Sequence, residues 1–298
     1  MKKWDFLHII FGVIAFLTGF SCTERIDLPT KDSPPVIVVY GLISDDSDYQ
    51  GISVSRSSPY FDDLPNEGVS GAEVMVSTSD GRQINFTEND SIKGFYFFNR
   101  RFDVTGDTEY SLSVKTDFDG DGSLDVYEAK TEALTTQQGD SLTLEVMDMF
   151  GTTSYLLHLY LTDTEGDDYY LFNVFCNDSL LNGSISSAVV TDDKMFPNQQ
   201  IRLNLYHFGD YLTKDDNPDY MQENMVYIKS GDTLEVRFCR ITKEYFDFIT
   251  QCQNEKGGEN PLFGGPASNI TTNIGNGGVG FFAVCKFQKM KIKFIKQE

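Results

Sequence analysis

Ala72-Glu-Val-Met-Val-Ser-Thr78 alternates apolar with polar side chains, stops at Ser79-Asp-Gly81, and is followed by Arg82-Gln-Ile-Asn-Phe86. A period of two puts successive side chains on opposite faces of a strand, so Val74 and Val76 share one face. Asp-Gly between two such runs signals a hairpin, because the turn needs residues that tolerate positive φ. The same pattern recurs outward from this segment. Val36-Ile-Val-Val-Tyr40 is a β-branched run ended by Gly41, and Gly51-Ile-Ser-Val-Ser55 alternates until Ser57-Ser-Pro59 breaks it. Gly94-Phe-Tyr-Phe-Phe98, Tyr110-Ser-Leu-Ser-Val114 and Val126 to Leu134 complete the series. Short strands about ten residues apart indicate an antiparallel, Ig-like β-sandwich of roughly 100 residues. It is expected over 36–135.

The second half reads as further strands. Ser154-Tyr-Leu-Leu-His-Leu-Tyr-Leu161 and Tyr169-Tyr-Leu-Phe-Asn-Val-Phe175 are expected to pair around the turn Asp163-Thr-Glu-Gly-Asp167. Ile201 to Tyr206 and Thr233 to Arg240 alternate clearly. Thr242 to Glu255 reads as a helix, with Thr242 as its cap. Ile241, Tyr245, Phe248, Ile249 and Cys252 then fall on one face at helical spacing. A Gly/Asn/Pro-rich stretch, 257–278, leads into a closing strand from Val279 to Phe287. The expectation is a mainly β chain: a sandwich over 36–135, then a β-rich domain over 136–298 with one amphipathic helix near 242–256.

Met1-Lys2-Lys3 precedes a run from Phe6 to Phe20 that is apolar apart from His8 and Thr18. About 15 apolar residues after two lysines match a secretory signal and fall short of a membrane span. The run ends Gly19-Phe20-Ser21-Cys22, the small residue and cysteine of a bacterial lipobox, with Gly19 where Leu is usual. The reading is a lipoprotein signal peptide over 1–21, acylation of Cys22 with palmitate among the chains, and a polar tether over 22–35. An ordinary signal peptide cut near Ser21 is the alternative. Acyl chains would hold the body firmly at a bilayer.

The 298 residues carry 24 Lys+Arg against 45 Asp+Glu, a net charge of −21. So acidic a chain repels phosphate backbones, which excludes a general nucleic-acid binder. The 24 Phe and 15 Tyr argue for packed cores and against disorder. Past Cys22, four cysteines remain: Cys176, Cys239, Cys252 and Cys285. They lack the CxxC spacing of a zinc site; two disulfides and buried free thiols both fit an exported protein.

Asp117-Phe-Asp-Gly-Asp-Gly-Ser-Leu-Asp-Val-Tyr-Glu128 satisfies the calcium-loop pattern D-x-D-x-D-G-x5-E. Asp117, Asp119, Asp121 and Glu128 would give side-chain oxygens and Ser123 its carbonyl. Asp125 would act directly or through water, with Gly122 at the sharp turn. The flanks read as strands, so a solvated Asp-Gly hairpin tip competes with a Ca2+ site. Catalytic signals are weak. No Gly-x-Ser-x-Gly elbow accompanies His158 or His207. Gly275-Asn-Gly-Gly-Val-Gly280 lacks the Lys-Ser/Thr of a phosphate loop.

Several stretches, taken in order, resemble the domain-of-unknown-function family numbered 4249, exported lipoproteins of Bacteroidota. They are Cys22-Thr-Glu-Arg-Ile-Asp-Leu28, Ile37-Val-Val-Tyr-Gly-Leu-Ile43, Val54-Ser-Arg-Ser57, Val69-Ser-Gly-Ala-Glu-Val-Met-Val76 and Gly94-Phe-Tyr96. Tyr110 to Val114, Tyr169-Tyr-Leu171, Tyr245-Phe-Asp-Phe248, Asn260-Pro-Leu-Phe263, Ser268-Asn-Ile270 and Gly278-Val-Gly-Phe-Phe282 follow. The resemblance implies a first half like carboxypeptidase-regulatory-like sandwiches and a genomic neighbour that is a TonB-dependent outer-membrane receptor. It transfers no catalytic residue. The expected function is a non-enzymatic, outer-membrane-anchored accessory or ligand-binding partner of a TonB-dependent transporter, with no cofactor beyond the candidate Ca2+. A surface carbohydrate-binding protein or hydrolase, and a structural adhesion module, are the alternatives.

Overall fold

Val74 faces Phe86 and Ser77 faces Gln83 across an antiparallel pair, so the Ala72–Phe86 segment forms the hairpin its sequence requires. Its turn closes through Thr78 N donating to Arg82 O (3.0 Å) and Gly81 N to Thr78 O (2.9 Å), with Gly81 at φ 91°. This computed structural model describes residues 34–45, 50–58, 65–149, 152–162, 166–194, 199–210, 225–257 and 270–296. The expected signal peptide, Cys22 and the tether up to residue 33 lie outside the described residues.

The first half contributes β1 (Ile37–Ser44), β2 (Gln50–Arg56), β3 (Glu67–Gly68), β4 (Glu73–Thr78), β5 (Gln83–Glu88), β6 (Phe95–Phe97), β7 (Thr108–Thr116) and β8 (Asp125–Ala133). The second contributes β9 (Ser141–Met149), β10 (Thr152–Thr162), β11 (Tyr169–Cys176), β12 (Ser179–Leu180), β13 (Val189–Asp192), β14 (Gln200–Asp210), β15 (Val226–Ile228) and β16 (Thr233–Ile241). Helix α1 (Lys243–Gly257), β17 (Val279–Cys285) and β18 (Gln288–Lys293) follow.

The strand order of the first sheet is β17-β1-β2-β6-β5-β4-β7-β8, with β3 beside β2. β17 therefore belongs to the sheet of the first half. It runs parallel to β1, Val38 opposite Val279 through Ser44 opposite Cys285. The sequence places this strand at the close of the second half; pattern alone shows that Val279–Cys285 is a strand and not which edge it joins. The glycine-rich stretch is the lead-in to that pairing. Asn273 clamps Phe282, accepting from its N (2.9 Å) and donating to its O (2.8 Å). Gly275 N donates to Glu128 O (2.8 Å) and Asn276 Nδ2 to Val126 O (2.6 Å), so the two ends of the strand order meet. Ile37, Val39, Ile52, Val54, Val76, Tyr110, Val114, Phe282 and Val284 fill the enclosed core.

The second half is a sandwich of two sheets, β15-β14-β10-β9 and β12-β11-β16-β18, with β13 beside β11. Leu157, Leu159, Leu161 and Phe208 of one meet Phe172, Val174, Val236 and Phe238 of the other. The expected pairing of the Ser154–Leu161 and Tyr169–Phe175 strands is corrected: β10 pairs β9 and β14, and β11 pairs β16, β12 and β13. The reason is burial. Seven consecutive residues of β11 are buried, so both its faces need cover, and a central position supplies that where a hairpin tip does not. The strand Gln-Lys-Met-Lys-Ile-Lys, β18, escaped the sequence reading. It is an edge strand whose exposed lysines blunt the edge.

Helix α1 begins as its sequence dictates, Tyr245 N donating to Thr242 Oγ1 (3.3 Å). Its Tyr245, Phe248 and Ile249 pack with Phe281, Ala283 and Cys285 of β17, Leu171 of β11, and Cys239 and Ile241 of β16. This third core joins the outer face of the first sheet to the outer face of the β11–β16 sheet. Gly280 is required where β17 passes β1: its φ is 111°, and a Cβ there would stand 2.1 Å from Val39 O. Gly280→Ala is expected to lower stability by at least about 2 kcal/mol. Gly277→Ala, at φ 80° with open space around it, should cost only about 1–2 kcal/mol. Thermal unfolding of both variants checks the difference.

Candidate functional site

β7 and β8 pair up to Thr116 opposite Asp125, which leaves 117–124 as the hairpin tip. Backbone amides organise its acids. Asp117 accepts from Gly120 N (2.9 Å) and Gly122 N (3.2 Å), Asp119 from Asp121 N (3.1 Å), and Asp121 from Ser123 N (2.7 Å). The Ser123 hydroxyl also donates to Asp121, and the two Ser123 bonds hold that carboxyl below the usual range. Gly120 and Gly122 both take positive φ, the backbone that lets these bonds form. Arg56, on β2, anchors the tip: Nη2 donates to Phe118 O (2.6 Å), and the guanidinium lies 4.0 Å from the Phe118 ring centroid.

Ligand oxygens of Asp117, Asp119 and Asp121 lie within 4.8 Å of one another, all three side chains exposed. Asp125 is turned inward, accepting from Phe118 N (3.2 Å), and Glu128 stands on β8 opposite Ser113. The strand carries Glu128 about 10 Å past Asp125 along the chain, where a calcium loop would bring it back to the ion. Six expected donors thus resolve into a group of three, with Ser123 serving as a donor to Asp121.

A groove of about 650 Å3 lies on the outer face of the first sheet, beyond the part that α1 covers. Tyr40 of β1, Gly51 and Ser53 of β2, and Phe95 and Phe97 of β6 line it, with the 98–101 segment and Gly183 at its rim. Its floor is set by a glycine. The Phe95 ring lies across Gly51 so closely that a Cβ there would fall 2.2 Å from it. Tyr40 closes the side nearest α1, its hydroxyl 3.0 Å from the Tyr245 hydroxyl, and burial pushes both phenols up.

A family profile described as "Domain of unknown function (DUF4249)" matches residues 23–291. The chain belongs to the DUF4249 family. The match therefore takes in the first sheet, the second-half sandwich and α1. No curated protein matches. Among solved structures, that of the chicken CNTN1 FN1-FN3 domains is similar at 11% identity and a TM-score of 0.24. The match covers 72% of this chain, which spans 64% of that structure's length.

His158 is buried and shares a 2.9 Å contact between Nε2 and Glu145, whose carboxylate also accepts from Arg202 (3.3 Å). Neither His158 nor His207 hydrogen-bonds a serine among the described residues. Cys176, Cys239, Cys252 and Cys285 carry free thiols, and burial pushes Cys239 well up, away from reactive thiolate. Tyr155, Tyr169 and Tyr170 are core residues. The sequence reading found the acidic tip through its spacing and missed the groove, whose residues come from three strands and three loops.

Calcium takes about six to eight oxygens, so three exposed carboxylates hold it only with water completing the shell. Titration calorimetry on the chain is expected to give a Kd on the order of 1 mM. Asp119→Ala/Asp121→Ala should abolish the binding and Glu128→Ala should leave it unchanged. Loss on Glu128→Ala would contradict this geometry.

Proposed function

We propose that the chain is a lipid-anchored, non-enzymatic accessory protein of an outer-membrane TonB-dependent transporter, and that the groove over β1, β2 and β6 holds the ligand it presents. The groove carries this reading. Its volume lies within the roughly 300–1,000 Å3 typical of small-molecule sites. Aromatic side chains form its floor and a few polar groups its rim. The anchor rests on the apolar run that ends at Cys22, and the transporter partnership on the family resemblance carried by the ordered motifs. The excess of acidic over basic residues suits a body held off anionic headgroups by a tether.

Two readouts test the reading together. Growth with a palmitate label should mark the wild-type chain and leave Cys22→Ala unlabelled and released from membranes. Affinity purification of the wild type from native membranes should bring down a β-barrel transporter, and deletion of the gene should lower that transporter's uptake. Unlabelled wild type, or uptake and complex composition unaffected by deletion, would sink it.

A further inference from the structure

Arg100 and Arg101 stand side by side at the groove rim in a chain where acids outnumber bases by 45 to 24. Both are exposed, and among the described residues neither forms an ion pair and no Asp or Glu lines the groove. Several other basic side chains find acids: Arg82 pairs Asp80, Arg202 pairs Glu145, Arg237 and Lys291 pair Glu235, and Lys130 pairs Glu109. Arg56, which also pairs with no acid among the described residues, is taken up by Phe118, whereas the two rim arginines face the groove.

Their backbone is fixed in advance. Phe98 packs on the first core and Phe102 lies within it, so the two arginines sit between aromatic anchors with ring centroids 6.2 Å apart. Buried Gln50 holds the span between them. With its amide nitrogen toward the carbonyls, Gln50 donates to Arg100 O and Phe98 O (3.0 Å) and accepts from Phe102 N (2.8 Å). Downstream, Arg82 donates to Asp103 O (3.0 Å) and Thr105 Oγ1 (3.2 Å). A loop so tied loses little entropy when its side chains take a ligand.

We propose that the groove takes a carboxylate carried on a ring with an apolar face, with Arg100 and Arg101 binding the carboxylate and the Phe95 and Phe97 rings receiving the ligand ring. This rests on the reading that the groove is the ligand site, and gives that ligand its chemistry. A guanidinium matches a carboxylate through two parallel N–H donors. Phenyl faces accept an arene in offset stacking, or the C–H face of a sugar ring in van der Waals contact. Guanidinium groups also match phosphate, so inorganic phosphate is the competing oxyanion in the test. An aromatic acid and an acidic sugar both present this chemistry, and the test separates them.

Calorimetry on the full chain at neutral pH uses naphthoate, its neutral counterpart naphthol, glucuronate and inorganic phosphate. Naphthoate or glucuronate is expected to bind, and the tighter of the two assigns the ring as arene or sugar. Naphthol should bind at least about tenfold weaker than naphthoate if the arene is the ring, the weight of a charge-assisted hydrogen bond. Arg100→Gln/Arg101→Gln should lower affinity for the bound acid by about tenfold or more while the thermal midpoint stays in place, because both side chains are exposed. Gly51→Val, which displaces the Phe95 ring, should weaken the acid as well, and rising salt should weaken it further. Naphthol binding as tightly as naphthoate, phosphate displacing the acid at equal concentration, or full affinity in the arginine variant overturns the carboxylate assignment. Failure of every probe to bind also overturns it, while the transporter partnership stands or falls separately on co-purification.

Discussion

β17 is buried on both faces, and the two cores it separates depend on it. Phe282 and Val284 project into the core enclosed by the first sheet, while Phe281, Ala283 and Cys285 project into the core beneath α1. Each large apolar side chain so placed contributes about 1.5–3 kcal/mol by leaving water. Its hydrogen bonds run to β1 in parallel, a pairing that needs a crossover. Here the crossover is nearly the whole described chain, from Ser44 to Val279. Contacts of such sequence separation form late and slowly, because the chain entropy is lost before the contact is gained. The described part of the chain, from Pro35 onward, accordingly forms one unit.

The same strand decides where a ligand can sit. α1 is held over β17 and β1 by the stacking of Phe248 on Tyr40 (centroids 6.2 Å) and by Phe281, 5.1 Å from both Tyr245 and Phe248. Cover ends at Tyr40. Beyond it β2 presents Gly51 and Ser53, and β6 presents Phe95 and Phe97, to the groove. The groove is thus the part of a two-faced sheet that the helix leaves open, and Gln50 sets the loop at its rim.

Local structure was legible in the sequence wherever one face meets water. β4, β5 and β7 alternate, so their period could be read, and Thr242 with the Tyr245–Phe248–Ile249 face gave α1 almost to the residue. Partnership was not legible. β11 and β17 are apolar on both faces, and such runs declare burial without naming neighbours. The Gly275–Gly280 stretch, whose sequence lacks the Lys-Ser/Thr of a phosphate loop, proves to be the turn and close approach that seat β17. For the site, Asp117, Asp119 and Asp121 were legible because loop spacing is local. Glu128 was misplaced because a motif built for a helix exit was carried into a strand. The groove left no linear signal, since Tyr40, Gly51, Phe95 and Arg100 meet only through the sheet order.

Native-state hydrogen exchange tests most directly whether β17 couples the ends of the chain. The amides of β1 and β17 should exchange together, with one opening free energy equal to that of global unfolding, and Phe282→Ala should lower both by the same amount. Contradiction would be β17 amides opening at low free energy while β1 and the rest of the first sheet stay protected. That outcome would make β17 an accessory to a sheet that stands without it.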